Sequence, residues 1–401
     1  MKARIINIFV TPIEKFFKIE SAAGIILILV SVFAMFVANS RYSEFYFDIL
    51  NRKFLFLSLS HWINDGLMAI FFFIVGLEIK KEIVAGELST IRKSILPVGA
   101  AIGGMVAPAL IYFWMNHNEG NVNGWAIPMA TDIAFALGIL SLFGSRVPLN
   151  IKIFLLALAI VDDLGAVLTI AFFYTSEIKI LGLLVALAGI LLTLALRRLQ
   201  KSSYLYYLFS GIIVWSGILF SGVHATIAGV LMGVLTPYTF YKKSTDGAGA
   251  AYSPVNDLIH ILHPYVGFLI MPIFALANAG ISFENVGYEA IRQSSVSMGI
   301  IAGLLLGKPL GILSISSILL FFKMAELPKN MNWMSFASIS LLAGIGFTMS
   351  IFIASLSLTG DELIQAKIGI LAGSLLSAIT GSFLFWIQLS DENLKDKYLR
   401  N

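Results

Sequence analysis

Long apolar segments recur along the whole chain and are separated by short polar stretches. Most are close to the length that an α-helix needs to cross the hydrocarbon core of a bilayer. They run approximately over residues 21–38, 63–84, 95–115, 122–143, 150–174, 179–197, 204–220, 222–236, 256–276, 296–321, 334–357 and 363–387. The pattern predicts an all-α polytopic membrane protein with about 12 transmembrane helices.

Composition supports this class of protein. The 401 residues are 58% hydrophobic and only 12% charged, whereas a soluble domain carries roughly 25% charged residues. The chain has no cysteine, which excludes disulfides and thiolate metal sites. Its five histidines lack the HExxH spacing of a metalloprotease. The net charge of +4 does not indicate a nucleic-acid partner, because the basic residues lie in short loops at the membrane surface.

The basic residues also predict the orientation of the chain. Most of the 27 Lys and Arg residues lie on the side of the predicted helices that holds both termini. Because cytoplasmic loops carry an excess of Lys and Arg, both termini are predicted to be cytoplasmic. No cleavable signal peptide is expected, because the first apolar segment follows a charged stretch and is not followed by a small-residue cleavage site.

Three stretches lie outside the predicted spans. Residues 1–20 form a cytoplasmic N-terminal segment suited to an interfacial helix. Residues 45–59 have β-type side chains on both sides of Asn51, Arg52 and Lys53, which predicts a small external β-hairpin. Residues 237–255 form a polar, glycine-rich cytoplasmic loop that divides the chain into two halves.

Four charged side chains lie deep inside otherwise apolar segments: Asp132, the adjacent pair Asp162 and Asp163, and Lys308. A charge near the bilayer centre costs roughly 3 kcal/mol on insertion scales, so such residues usually serve function. A neighbour of opposite charge or a bound cation can offset the cost. The set therefore predicts that the chain moves a cation or a proton through a membrane.

The adjacent aspartates cannot share one environment. On a regular helix neighbouring side chains point about 100° apart, so one carboxylate can face a cavity while the other faces a partner. Lys308 is the basic residue at membrane depth and can pair with one of them. A purely structural salt bridge is the alternative, but it leaves the other aspartates unexplained. Two close carboxylates repel each other when both are ionised, so protons compete with a cation there.

Two of the apolar segments contain helix breakers. Thr131 and Asp132 follow a proline in the fourth segment, and Gly344, Gly346 and Thr348 lie in the interruption of the eleventh. Broken helices are tolerated in a membrane where their free backbone groups line a cavity or are satisfied by neighbours. Interrupted segments in both halves point to a transporter site. An ordinary kink packed against its neighbours is the alternative.

Five further residues are candidates for a pH response. Glu78 and Glu82 lie four residues apart on one face at the end of the second segment. His224 opens the eighth segment on the outer side, and His260 and His263 open the ninth on the inner side. Histidine titrates near neutral pH. The alternative is a solvated helix end for the glutamates and a hydrogen-bonded interfacial residue for each histidine.

Seven motifs in the apolar segments resemble those of one transporter family. They read FFFIVGLEIKKE (71–82), ATDIAFALG (130–138), LAIVDDLGAV (158–167), SGVHATIAGV (221–230), HPYVGFLIMPIFALANAG (263–280), GKPLGI (307–312) and GIGFTMSIFIASL (344–356). In these motifs, and over nearly its whole length, the chain is similar to the NhaA-type sodium/proton antiporters. The resemblance implies an antiporter of the bacterial inner membrane that exports Na⁺ or Li⁺ in exchange for protons. No cofactor is implied.

The resemblance also implies roles for the buried residues. Asp162 and Asp163 would bind protons and the transported Na⁺, with Asp163 the more exposed ligand. Asp162 would pair with Lys308, and Thr131 and Asp132 would complete the ion- and proton-binding set. Exchange would be electrogenic if two of these groups took up protons against a single sodium.

The architecture implied by the resemblance has two inverted repeats, residues 95–174 and 296–387. The broken fourth helix and the break at Gly344 to Gly346, with Thr348, would cross at mid-membrane and line a cavity. Membrane lipid would surround the helices, and the hairpin at 45–59 would hold a homodimer together.

A pH response is implied at the cytoplasmic funnel, where Glu78 and Glu82 would tune it, with His224 also involved. One departure concerns Ile259, which stands where some relatives carry a glutamate. The pH response of this chain is therefore expected to differ from theirs.

Two other functions fit two membrane aspartates less well. An intramembrane aspartyl protease would use them as general acid and base, but Ala-Ile-Val precedes the pair instead of the GxGD element of such enzymes. A cation channel needs an acidic lining but no buried lysine beside it. The sequence therefore predicts a transporter and no enzyme activity.

Overall fold

The computed structural model describes residues 22–175, 178–201, 203–242, 250–283, 293–329 and 331–399, and these ranges are mainly helical. The predicted N-terminal segment 1–20 lies outside the described residues, as do residues 243–249 of the loop 237–255. Among the described residues, eight helices are long and apolar enough to cross a membrane, or up to 10 if each of two bent helix pairs is one span. The prediction of an all-α polytopic membrane protein is confirmed, whereas the number of about 12 spans stays a prediction.

The chain divides into two compact units. The first unit consists of Met1–Glu44, Arg92–Asp162 and Asn278–Asn401. Its described helices, wholly or mostly within it, are Ala22–Ala38, Ile91–Asn116, Val122–Met129 (3₁₀), Ile133–Ser141, Gly144–Arg146 (3₁₀), Leu149–Phe173, Ser295–Ala302, Gly303–Gly307 (π), Lys308–Phe321, Trp333–Ala343, Phe347–Ser357 and Gly360–Leu399.

The second unit consists of Phe45–Ile91 and Asp163–Ala277. Its described helices, wholly or mostly within it, are Ser43–Asn51, Leu59–His61, Trp62–Leu67 (π), Met68–Ala85, Ile180–Arg198, Tyr204–Ser221, Thr226–Leu235, Pro254–Tyr265, Val266–Ile270 (π) and Met271–Asn278. A core cluster of this unit joins three of the helices through the buried side chains of Ala186, Val214, Ile218, Ala228 and Met232.

Close helix contacts in the first unit depend on small residues. Helix Ile91–Asn116 crosses the helix that begins at Lys308 where Gly103 meets Gly311. A methyl group added to either glycine would collide with the backbone carbonyl of the other. Small residues at such crossings let the helix backbones approach closely, which supplies packing contacts that lipid cannot supply.

Both predicted breaks are present in the structure. A 3₁₀-helix, Val122–Met129, ends before Thr131, and an α-helix, Ile133–Ser141, starts after Asp132. Helices Trp333–Ala343 and Phe347–Ser357 are bent by 41° across Gly344 to Gly346. Proline within the first segment and two glycines in the second explain why neither continues as one regular helix.

The external segment 45–59 is less β-like than predicted, and the prediction of a hairpin over this whole range was wrong. Ser43–Asn51 is a helix, and the antiparallel strands Lys53–Phe54 and Leu57–Ser58 have two residues each. The less exposed positions 43, 46, 47 and 50 lie on one helical face. Two aromatic residues and a leucine at that spacing favour a helix packed against the unit instead of a strand, because burial outweighs intrinsic β-propensity.

Two other boundaries differ from the prediction. The loop 237–255 contains a short antiparallel pair, Phe240–Lys242 and Ala250–Tyr252. The last helix, Gly360–Leu399, continues beyond the apolar segment that ends near residue 387. Its final residues, DENLKDKYL, include strong helix formers, so the helix extends beyond the end of the apolar segment.

Candidate functional site

The two breaks of the first unit touch each other. The backbone N–H of Asp132 donates a hydrogen bond of 2.7 Å to the carbonyl oxygen of Ile345. A backbone group freed by one interruption is thus satisfied by the other, which is the condition for irregular backbone at membrane depth. The contact brings together Thr131, Asp132, Gly344, Gly346 and Thr348, as the family resemblance implied for the two breaks.

Asp132 caps two helices at once. Its Oδ1 accepts the N–H of Phe135 at 3.0 Å, in the first turn of helix Ile133–Ser141. Its Oδ2 accepts the N–H of Thr348 at 3.1 Å and also the Thr348 hydroxyl. The carboxylate is 1% exposed. Since each helix N-terminus carries roughly half a positive charge, two of them compensate one buried anion.

The Lys308 ammonium neutralises a carboxylate and the negative C-terminal end of a helix. Its Nζ lies 2.5 Å from Asp162 Oδ2 and also donates to the carbonyl oxygen of Met129. Met129 is the last residue of the 3₁₀-helix before the break, so the ammonium meets the negative end of that helix. The predicted pairing of Lys308 with Asp162 is present in the structure, and both side chains are 1% exposed.

Thr131 connects this ion pair with the second broken helix. Its Oγ1 lies 2.7 Å from Asp162 Oδ2 and 2.8 Å from the carbonyl oxygen of Ala343. One hydroxyl has one hydrogen, so it donates to one of these acceptors at a time. Ala343 is the last residue of helix Trp333–Ala343. The carbonyl partners, Met129 and Ala343, were missed by the sequence analysis; their only sequence signal is that each lies beside a break.

The aspartate pair lies in helix Leu149–Phe173, and each side chain is 1% exposed. The expectation that Asp163 is the more exposed of the two was wrong for this structure, which encloses both. Asp162 Oδ1 accepts no hydrogen bond from the described residues, while Oδ2 is engaged by Lys308 and Thr131. Asp162 therefore offers an incoming cation one unengaged oxygen.

The candidate pH-response residues belong to the second unit and do not form one cluster. His263 Nε2 lies 3.6 Å from Glu78 Oε1, and both side chains are largely buried. Glu82 instead accepts the backbone N–H of Glu87 at 2.7 Å, just beyond the end of its helix. The spacing of Glu78 and Glu82 placed them on one face, but the pairing of Glu78 with a histidine more than 180 residues away could not be read from it.

His224 lies elsewhere in the second unit. Its Nε2 is 2.8 Å from the carbonyl oxygen of Tyr174, whereas His260 is exposed. Within the described parts of the chain, no group of three His, Cys, Asp or Glu side chains is arranged to hold a metal ion.

Two interrupted membrane segments in contact, with buried charges at their ends, define the class of secondary transporters. Comparisons with known proteins specify the family. The profile of the family described as Na⁺/H⁺ antiporter 1 matches residues 14–385. The chain therefore belongs to this family.

Curated relatives agree over almost the whole chain. A protein named Na(+)/H(+) antiporter NhaA from Pelagibacter ubique (strain HTCC1062) is 46% identical over 387 residues, covering 93% of this chain and 96% of the relative. One named Na(+)/H(+) antiporter NhaA 1 from Clostridium beijerinckii is 49% identical over 400 residues, covering 96% and 98%. One from Vibrio vulnificus (strain YJ016) is 47% identical over 383 residues, covering 94% and 96%.

Proposed function

We propose that the protein exports Na⁺, and also Li⁺, in exchange for protons, by competition of the two ions for Asp162 and Asp163. The observation that carries the proposal is the Lys308–Asp162 ion pair, 2.5 Å long and enclosed where the two broken helices meet. A sodium ion that binds Asp162 must displace the ammonium, and a proton that returns restores the pair. Sodium is the cargo, and no resident cofactor is needed.

The oxygens around Asp162 suit a small cation. Asp162 Oδ1 accepts no hydrogen bond from the described residues, and the Thr131 hydroxyl lies 2.7 Å from Oδ2. Asp163 follows directly in the helix and supplies a second carboxylate. Carbonyl groups of interrupted helices complete sodium sites in secondary transporters. Exchange is electrogenic, because Asp163 and either Asp162 or Lys308 each take up a proton against a single sodium.

Several finer features belong to this proposal. The protein lies in the inner membrane with both termini cytoplasmic and about 12 spans. Residues 95–174 and 296–387 are inverted repeats, an architecture for which this family is a named example. Support comes from the broken helices, since each of these ranges contains one.

Regulation and assembly lie in the second unit. The Glu78–His263 contact, with Glu82 and His224, sets the pH response. The segment 45–59 joins two copies into a homodimer; its two-residue strands are too short to be stable alone and gain by pairing across a two-fold axis.

Reconstituted vesicles test the exchange. An imposed sodium gradient should drive a change in internal pH with wild-type protein, and Asp163→Asn should abolish it by removing one charge and one proton site at nearly constant shape. Asp361→Asn is the matched control, because that carboxylate is exposed near the start of the last helix. Near-normal exchange by Asp163→Asn would refute the assignment of the ion site.

A further inference from the structure

An unusual turn of helix places the buried lysine. Gly303–Gly307 is π-helical, and the Lys308 N–H donates to the carbonyl oxygen of Gly303, not to that of Leu304 as in an α-helix. In the π-helical register the donor for the Leu304 carbonyl would be the N–H of residue 309, but residue 309 is a proline and has no N–H. The Leu304 carbonyl thus lacks both of its usual helical donors, in the kind of turn that often marks functional sites.

The Leu304 carbonyl points into the break of the eleventh segment. A methyl group built on Gly344 would collide with Leu304 O and would lie 2.8 Å from Ser377 Oγ. The same point is 3.0 Å from Leu341 O. Three oxygens from three different elements therefore converge beside Gly344, and Leu304 itself is fully buried. A glycine is required there because a Cβ would collide with the Leu304 carbonyl oxygen.

Ser377 carries a buried hydroxyl group that lacks a hydrogen-bond partner among the described residues. Its side chain is 0% exposed. Ser374, one turn earlier on the same helix, has a clear role, since its Oγ accepts the N–H of Phe347 at 3.1 Å. An unsatisfied buried hydroxyl costs about 1–3 kcal/mol. Where no protein group is within reach, an internal water with about three polar partners satisfies such a group.

We propose that one buried water molecule links Ser377 Oγ to the Leu304 carbonyl, with Leu341 O as its third partner. Two hydrogen bonds of about 2.8 Å are long enough to join the first two oxygens. Through this water Ser377 is a positioning residue for Lys308. It ties the π-turn to the broken helix and so holds the ammonium against Asp162. The inference rests on the proposed competition between Lys308 and sodium.

The functional test compares two buried serines. In vesicles, Ser377→Ala should lower the sodium concentration for half-maximal exchange about fivefold, the effect of one lost hydrogen bond. The reason is that a less firmly held ammonium competes less well for Asp162, and the onset of exchange should move to lower pH for the same reason. Ser316→Ala is the matched control, because Ser316 is also 0% exposed with an unpartnered Oγ among the described residues. If both variants leave the half-saturating sodium concentration unchanged, or change it equally, Ser377 does not position Lys308.

A second measurement does not depend on transport. A high-resolution experimental structure in sodium-free buffer should show density for one water between Ser377 Oγ and Leu304 O, and Ser377→Ala should lose it. No density there would overturn the water site, and density that appears only with sodium would assign the position to a cation instead. Loss of exchange by the wild type would refute the proposed function while leaving this structural result intact.

Discussion

At the scale of single residues, the site neutralises each buried charge by the helix ends around it. Asp132 meets two helix N-termini, and Lys308 meets a carboxylate and a helix C-terminus. Asp132 and Lys308 therefore contribute differently to stability and to exchange, and substitutions can separate the effect on stability from the effect on exchange.

Removal of one charge of the Lys308–Asp162 ion pair should lower thermal stability more than removal of both charges. Lys308→Met leaves the Asp162 carboxylate buried without its cation, which typically costs about 3–5 kcal/mol. The double variant Asp162→Asn/Lys308→Met should recover most of the thermal stability in detergent, although it should not exchange sodium for protons. A double variant less stable than Lys308→Met alone would contradict this account of the pair.

Asp132 should respond differently to two substitutions. Asp132→Ala removes side-chain acceptors from two helix N-termini, at a cost of about 1 kcal/mol each. Asp132→Asn keeps a good N-cap residue and should lose less thermal stability. The melting temperatures of the two variants in detergent check this. Equal losses would mean that the negative charge, not the capping hydrogen bonds, is the stabilising feature.

At the scale of elements, the broken helices depend on a close approach at Gly344. A methyl group there would collide with the Leu304 carbonyl, so Gly344→Ala should displace the π-turn, lower thermal stability and reduce exchange severely. Gly211→Ala is the control, since its methyl would meet only Met232 side-chain atoms at 3.6 Å and beyond. A Gly344→Ala variant with wild-type exchange would show that the Leu304 carbonyl can move away from residue 344 without loss of function.

The external segment divides into a helix and a small hairpin, and only the hairpin should be required for dimerisation. The Tyr46 hydroxyl donates to the Leu276 carbonyl, which fastens helix Ser43–Asn51 within its own unit. Deletion of residues 53–58 should therefore shift the detergent-solubilised protein toward monomer while exchange stays measurable. Native mass spectrometry gives the oligomeric state. A deletion variant that remains dimeric would show that the dimer is held elsewhere.

At the scale of the whole molecule, the pH response is expected to depend on the Glu78–His263 contact. The contact is an ion pair only when His263 carries a proton, and in the proposed regulation this pair restrains exchange. His263→Ala should thus move the activity–pH curve to lower pH with a similar maximal rate, and Glu82→Gln and His224→Ala should move it less. His260→Ala is the control, because His260 is exposed. If none of these substitutions moves the curve, it reports the titration of Asp162 and Asp163 themselves.

The sequence predicted most of the candidate site but not its internal bonding. The buried charges and both breaks could be named in advance, since a charge or a helix breaker inside an apolar segment is visible locally. The pairing of Lys308 with Asp162 was implied by the family resemblance, because the sequence pattern alone left either aspartate open. The equal burial of Asp162 and Asp163 and the helix at Ser43–Asn51 could not be named in advance. They depend on which neighbours enclose the chain, and aromatic residues fit a buried helix as well as a strand.

What the sequence determined by itself was therefore the membrane class, the position of the apolar helices, the two breaks and the family. The membrane class and the helix positions follow from runs of about 20 apolar residues, because a bilayer requires that length of any spanning helix. The breaks and the family follow from short local motifs. Only the tertiary structure decided that Asp132 caps two helices, that Glu78 meets His263 and that Leu304 and Ser377 converge on Gly344. Asp132 and Thr348 lie 216 residues apart in the chain. Hydropathy is a local property, whereas a hydrogen bond over that separation exists only after the helices have packed.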